Sequence, residues 1–540
     1  MKGKWALVIW IGLLLIALWT AGLGREAVLN PYGFQSLSAF LARAFSPEVN
    51  VSFLSLIAEA SLKTLAFALC ATLLALFLGF IGGILRSHFW WHNCLESKNA
   101  SFISSFFGYL FGIPAAIHEV IWALFFLSLI GLDMMVGVFA IAIPFGAMAT
   151  KVFSQFLDDV DPAPTNFLIQ NGTSPVLAFF YGAFSQAFPN MVSYSFYRFE
   201  CALRSAAVLG IIGAGGIGYQ IQISLSSLKY GELWTGFYAL ILLNGCVDFL
   251  SSRIRKIFGF LGSNDNGQRK KSSTPDLSRT YLALVAFFLC TLSVLLSLWF
   301  LSPDLSKWGR IFTQFHAFSG TLSAKGIVDS FTISHVVLSL DTFSMSVIAM
   351  TIAGIFGVLF SFPAALNMFS ANGVLMQPKR KWGVVLYVVT RFFLLVWRAI
   401  PAPIIALVLL FAMYPSILAG ALALAIHNIG ILGRLNAEVN EHMEERNARY
   451  LRQIGSSSLS VYLYAILPMN VRAYLGYVFY RWEVCIRETL LLGLVGAGGL
   501  GLLLSEEFSS FDNNGALVTV AVFVGLTLIV NAFGRRLVPA

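Results

Sequence analysis

Charge is scarce in this chain. Asp, Glu, Lys and Arg make up 11% of its 540 residues, 58% are hydrophobic, and the mean hydropathy is +0.79. A water-soluble globule of this length needs far more polar surface, so the composition excludes one and places the chain in a membrane. Signatures of chemistry are missing too. There is no G-x-x-x-x-G-K-[ST] phosphate loop, no H-E-x-x-H zinc motif and no nucleophile elbow, which argues against an ATPase or any recognisable enzyme. The six cysteines, at 70, 94, 201, 246, 290 and 485, have no paired spacing and fall mostly within apolar runs. They read as apolar fillers rather than disulfide partners or metal ligands, so neither a metal nor a cofactor is expected.

Long apolar runs are what the chain does have. They lie near residues 4–24, 62–85, 105–130, 134–150, 187–210 and 235–252, then near 281–301, 342–366, 384–412, 415–433, 468–493 and 515–534. Each approaches the ~20 residues that span a bilayer as helix, and none alternates with period 2 as a barrel strand would. The expectation is an all-α integral membrane protein of about twelve spans, six per half. Lys2 and Lys4 precede the first run, but no small-residue cleavage site is clear before Arg25, so the run is read as an uncleaved helix.

The net charge of +9 raises the question of nucleic acid. On a twelve-span layout, however, most Lys and Arg collect in loops on one side, among them Arg253, Arg255, Lys256, Arg269, Lys270, Lys271, Lys379, Arg380, Lys381, Arg535 and Arg536. The excess is topological. It predicts cytoplasmic N- and C-termini and leaves no basic stripe for nucleic acid.

Residues 194–218 read YSFYRFECALRSAAVLGIIGAGGIG and residues 477–501 read YVFYRWEVCIRETLLLGLVGAGGLG, with 13 of 25 positions identical at an offset of 283. The same offset pairs Ile117 with Ile400, Ala142 with Ala425 and Gly172 with Gly455, while Thr64 and Gly79 match Thr342 and Gly357 at an offset of 278. The chain is a tandem duplication, with a first half over 1–257, a polar basic linker over 258–279 and a second half over 280–540. An even number of spans per half makes the copies parallel, an architecture in which transporters build a path along an internal pseudo-two-fold axis.

Between the fourth and fifth spans of the second half stands R-Y-L-R-Q-I-G, Arg449 to Gly455, followed by Leu467-Pro468. Together with Tyr181-Gly182-Ala183-Phe184-Ser185-Gln186-Ala187-Phe188-Pro189, the Y-R-F-E and Y-R-W-E stretches and the two G-A-G-G runs, this resembles the permease of a phosphonate-type ABC importer, two copies fused. The resemblance covers most of both halves. It implies a tandem-duplicated type I ABC importer (MetI-like) transmembrane domain in the bacterial inner membrane, worked by two ATPase subunits and fed by a periplasmic binding protein. It makes Asn166, Gly172, Arg449, Gly455, Leu467 and Pro468 the ATPase-coupling elements. The loop departs from the family, since Arg449 and Tyr450, and Asn166 and Phe167, replace its Glu-Ala. Ser185 replaces one proline of the first copy and Arg472 one of the second.

In each fifth span charge sits where it is costly. Glu200 and Arg204, like Glu483 and Arg487, are spaced i,i+4 and are expected to pair, leaving Arg198 and Arg481 without partners. An arginine at mid-span costs at least ~2.5 kcal/mol, so these residues are candidates for a translocation pathway, where a guanidinium suits a phosphonate or phosphate oxyanion, or for helix locks that never touch substrate. The glycines at 213, 215, 216 and 218, and at 496, 498, 499 and 501, lack a preceding strand and are expected to break the span at an external gate rather than bind a dinucleotide. His118 and Glu119 suggest a proton site, but their counterparts are Pro401 and Ala402, so a symmetric relay is absent and a packing or pathway role is the better reading. The alternatives are a fused permease for ferric iron, thiamine or methionine, and, from another class, an ion-coupled secondary carrier.

Overall fold

The fold was obtained as a computed structural model, which describes residues 2–259, 311–369 and 382–537, apart from 25, 26, 32, 132 and 445, together with 295, 297 and 309. The expected linker, but for residues 258 and 259, nearly all of the expected span near 281–301, Cys290 and the basic run at 379–381 lie outside the described residues. What is described is helical. In chain order come α1 (Lys2–Thr20), α2 (Val51–Arg86), α3 (Ala100–Ala116), α4 (Glu119–Ile130), α5 (Met134–Asp158), α6 (Ala163–Gln170), α7 (Ser185–Leu209), α8 (Gly216–Ser226) and α9 (Tyr230–Gly259). The second copy repeats this order as α10 (Ile333–Ala364), α11 (Trp382–Ala399), α12 (Ala402–Leu409), α13 (Ile417–Glu441), α14 (Arg446–Gln453), α15 (Leu467–Leu492), α16 (Leu500–Ser509) and α17 (Asn513–Leu537).

Local sequence sets many of these ends. Asn50, Asp133 and Ser416 cap α2, α5 and α13, each side-chain oxygen accepting from a backbone N–H of the first turn. The third span is not continuous, contrary to the expectation for 105–130. Ile117 is extended at the end of α3, His118 caps α4, and the two helices bend by 78°. In the second copy Pro401 caps α12, and a proline disfavours helix in the residue before it, which ends the apolar run 384–412 as one helix. Among the described residues seven helices are long and apolar enough to cross a membrane, or up to nine if each of two bent pairs is one span. Helix α7, with Arg198, Glu200 and Arg204 along it, is not among the seven.

Small residues carry the central packing of each copy. Ala66, Ala68, Ala71 and Ala75 of α2, and Ala140, Ala142 and Ala149 of α5, are buried where the two helices meet. At Gly79 an added Cβ would stand 2.5 Å from Ala149 Cβ, and at Gly357 one would stand 2.8 Å from Leu432 Cβ. The same close crossing is thus built twice, at positions that the two offsets make equivalent. Lipid tails are as apolar as leucine, so close van der Waals contact rather than hydrophobic transfer holds such helices together.

The compact units do not follow the sequence halves 1–257 and 280–540. One comprises Ser46–Phe318; the other joins Met1–Phe45 to Ser319–Ala540. Within the latter, Trp10 packs edge-on against Trp482, with ring centroids 5.0 Å apart, and donates to Thr351 Oγ1 at 3.1 Å. Thr20 Oγ1 donates to Ser344 Oγ at 2.8 Å, and Leu29 bridges Met413. Helix α1 therefore completes the core of the second copy, which the repeat alone does not reveal.

A leucine at Gly79 is expected to destabilise the purified protein by about 1–3 kcal/mol through overpacking. Gly245, with nothing within 4 Å of its would-be Cβ, should accept the same change almost freely. Thermal unfolding of the two variants in detergent checks the contrast.

Candidate functional site

The residues singled out by sequence fall in three places, each present in both copies. The first is the loop between α5 and α7 and its counterpart between α13 and α15. Each carries a short helix, α6 or α14, that ends at a glycine of positive φ, +84° at Gly172 and +88° at Gly455. That backbone conformation strains any residue with a Cβ. Only one small side chain of each short helix is fully buried, Thr165 or Ala448. A Cβ on Gly182 would run into Thr165 Oγ1, and the equivalent small residue of the second copy is Ala465. The opposite side of each helix is open. Phe167 and Tyr450, equivalent by the repeat, are 65% and 55% exposed, Arg449 is exposed, and Ile454 stands 77% exposed. Asn166 lies by a cavity of about 640 Å³ that His88, His92, Glu96, Lys98 and Gln170 also line. Leu467 and Pro468 open α15 after a wide turn at Tyr462–Ile466, in keeping with the preference of proline for the first turn. In the first copy α7 opens at Ser185 and holds Pro189 within it.

The second place is the glycine run. Helix α7 loosens at Gly210–Ala214, passes Gly213 at φ +108°, and restarts as α8; α15 does the same through Gly496 at φ +98° before α16, with a bend of 65°. A break at membrane depth frees backbone N–H groups that lipid cannot satisfy. Thr64 Oγ1 takes the N–H of Ile217 and Thr342 Oγ1 that of Leu500, both at 2.9 Å and both buried. Room for the hydroxyl comes from Gly216 and Gly499, where a Cβ would stand 2.5 Å and 2.7 Å from it. Gly218 and Gly501 allow the restarted helix to lie against the Ala207 and Leu490 carbonyls, which a Cβ there would strike. Of the remaining glycines in the motif, Gly215 and Gly498 take φ of +92° and +86°.

The third place is the charged face of α7 and α15, where the pairing differs from expectation. Arg204 and Arg487 donate through Nε to the backbone carbonyls of Glu200 and Glu483, at 3.4 Å and 3.3 Å, instead of meeting their carboxylates. Glu200 is buried, while Glu483 is half-buried. Arg481, expected to be unpaired, is buried and donates from Nε and Nη2 to Asn428 Oδ1 at 2.9 Å and 2.7 Å, and from Nη2 to Glu488 Oε1 at 3.0 Å. Spacing missed these partners because Glu488 lies seven residues on and Asn428 on another helix. Arg198 donates Nε to Tyr194 Oη at 2.6 Å, with its guanidinium 4.9 Å from the Phe145 ring centroid. The pair His118 and Glu119 is mostly buried at 3.4 Å, with His118 Nδ1 capping α4 and Glu119 Oε1 accepting from Ser205 at 2.7 Å. These are packing and capping contacts.

The family model described as binding-protein-dependent transport system inner membrane component matches residues 76–260 and again residues 370–540. The chain is 29% identical over 413 residues to the phosphate-import permease protein PhnE of Mycolicibacterium smegmatis, covering 76% of this chain and 73% of that one. It is 29% identical to the phosphite transport system permease protein PtxC of Stutzerimonas stutzeri, over 36% of this chain and 66% of the relative. It is 33% identical to the putative cryptic phosphonate transport system permease protein PhnE2 of Escherichia coli, over 20% of this chain and 89% of the relative. No solved structure matches.

Replacing Thr342 by valine strands the buried Leu500 N–H, a loss of about 1–3 kcal/mol. The same change at Thr64 should cost as much, and both should lower the unfolding midpoint in detergent. Gly499→Ala, which meets the hydroxyl and the positive φ together, should be at least as damaging.

Proposed function

The chain belongs to the binding-protein-dependent transport system inner membrane components and carries the family's domain twice, and we propose that it forms by itself the translocation path of an importer for phosphorus oxyanions. It is a membrane transport permease and not an enzyme; energy comes from a separate ATPase and substrate from a binding protein. The observation that carries the substrate class is the agreement of its relatives, whose names specify phosphate, phosphite or phosphonate. All three are small tetrahedral phosphorus anions. An importer of this kind leaves the choice among them largely to its binding protein.

One ATPase subunit engages each of α6 and α14, so that two subunits act on the one chain. The exposed aromatics Phe167 and Tyr450 and the flanking Asn166 and Arg449 form the contact, and the turns at Gly172 and Gly455 let each short helix stand off the bundle. The second loop dominates, because Leu467-Pro468 fixes the start of α15 directly behind it. The glycine breaks, from Gly213 to Gly218 and from Gly496 to Gly501, form the external gate. Arg198, Glu200, Arg204, Glu483 and Arg487 line the path, whereas Arg481, held by Asn428 and Glu488, locks α15 to α13. The termini and the linker over 258–279 lie in the cytoplasm, as the distribution of Lys and Arg requires.

Gly455→Val leaves room for the side chain but imposes a positive φ on a β-branched residue. Binding-protein-stimulated ATP hydrolysis should fall by about tenfold or more while the chain stays inserted; normal stimulation with the ATPase still bound refutes the coupling role. For the topology, a reporter active only in the periplasm should be silent when fused at position 265 and active when fused near Asp512, and the reverse pattern overturns the orientation.

A further inference from the structure

The duplication supplies an internal control for every residue, and at the first arginine of the fifth span the copies disagree. Arg198 and Arg481 are equivalent, as are Tyr194 and Tyr477, yet the partners of Arg481 have no counterparts. Asn428 corresponds to Phe145, and Glu488 corresponds to Ser205. In the second copy the guanidinium is buried and satisfied by an amide oxygen and a carboxylate. In the first copy it is half-buried, and no carboxylate reaches it among the described residues. Its Nε is spent on the Tyr194 hydroxyl, and its charge rests on the rings of Phe145 and Tyr194, at 4.9 Å and 5.2 Å from their centroids. An aromatic face stabilises the cation without consuming an N–H, so the fork of terminal donors stays available. The carboxylate of Glu119 is engaged by Ser205 and His118.

We propose that, of these two equivalent arginines, only the one in the first copy forms an oxyanion site, where Arg198, steadied by Tyr194 and Phe145, offers its fork to a phosphate, phosphite or phosphonate group. The site rests on the importer reading above. Bidentate donation to two oxygens of a tetrahedral anion is the geometry for which a guanidinium is suited. A single weak site is also what passage needs, since an anion held by two guanidiniums at once would leave slowly, and Glu488 pairs with Arg481.

The test uses the permease with its ATPase and binding protein in proteoliposomes, measuring uptake of inorganic phosphate, phosphite and methylphosphonate beside ATP hydrolysis. Arg198→Gln should lower uptake of whichever anion the native complex carries by about tenfold or more, with stimulated ATP hydrolysis within about twofold of native. The pair Phe145→Asn with Ser205→Glu keeps Arg198 but gives it the partners of Arg481, and should lower uptake likewise; it decides the matter if Arg198→Gln fails to fold. Removing both charges of the lock, by Arg481→Met with Glu488→Met, should leave uptake within about twofold of native. Native uptake in the first two variants overturns the site, as does a loss of ATP hydrolysis in step with uptake, which marks a structural role. Loss of uptake on removing the lock, with ATP hydrolysis intact, overturns the asymmetry. A native complex that carries none of the three anions overturns the substrate reading, and the site with it.

Discussion

A polypeptide that breaks a helix inside a bilayer must find a partner for every N–H it frees, and in this protein one threonine hydroxyl per copy takes one of them. Thr64 and Thr342 project from long helices α2 and α10 onto the first N–H groups of α8 and α16. Much follows from that bond. The glycine beside it must lack a Cβ, because the hydroxyl occupies the space. The restarted helix is tied to the same α2 or α10 that packs on α5 or α13, so the break shares a framework with the close helix crossing at Gly79 or Gly357. The break can then be sharp without being loose.

On that shared frame the two copies have diverged in what they bury. Where the first copy packs Leu157, Ala187 and Met191, the second places Asn440, Asn470 and Tyr474, with Ser361 in place of Gly83. Asn440 accepts from Asn470 at 2.9 Å and from the Tyr474 hydroxyl, and donates to Ser361 at 3.1 Å, joining α10, α13 and α15. A buried network of this kind fixes relative helix positions more narrowly than apolar contact does, because any slide leaves a polar group unsatisfied. The second copy is also the one in which Leu467-Pro468 opens α15 behind α14, and in which the equivalent arginine is held by Asn428 and Glu488.

Much of this was legible in the sequence, because duplication turns one chain into an alignment of two. The offset of 283 locates the glycines at 172 and 455 that end the short helices, and the helix breaks, and the offset of 278 matches Thr64 to Thr342 and Gly79 to Gly357. Side-chain pairing was not legible. Spacing i,i+4 places Glu200 and Arg204 on one face, but it does not choose between the carboxylate and the backbone carbonyl of the same residue, and the arginine takes the carbonyl. The partners of Arg481 are set by the approach of α13 to α15, a tertiary fact. Nor could sequence show that α1 packs with the second copy, since an apolar helix carries no address beyond its shape, and Trp10 finds its place only when Trp482 and Phe479 are assembled.

Fusion of the copies also bears on why they could diverge at all. In a dimer of identical permeases, every change at the position of Arg198 appears in both subunits, so a carboxylate that neutralises one arginine neutralises the other. A single chain removes that constraint. In the second copy Asn428 and Glu488 hold a buried guanidinium, whereas the first copy has Phe145 and Ser205 at those positions and no carboxylate reaches its arginine among the described residues. The charge of an unpaired span arginine costs several kcal/mol if lipid surrounds it and much less beside a wet cavity with aromatic support. If Arg198 meets the anion as proposed, one such charge at this position, rather than two, offers an attractive point without a trap, the balance a path must strike if binding is to permit release.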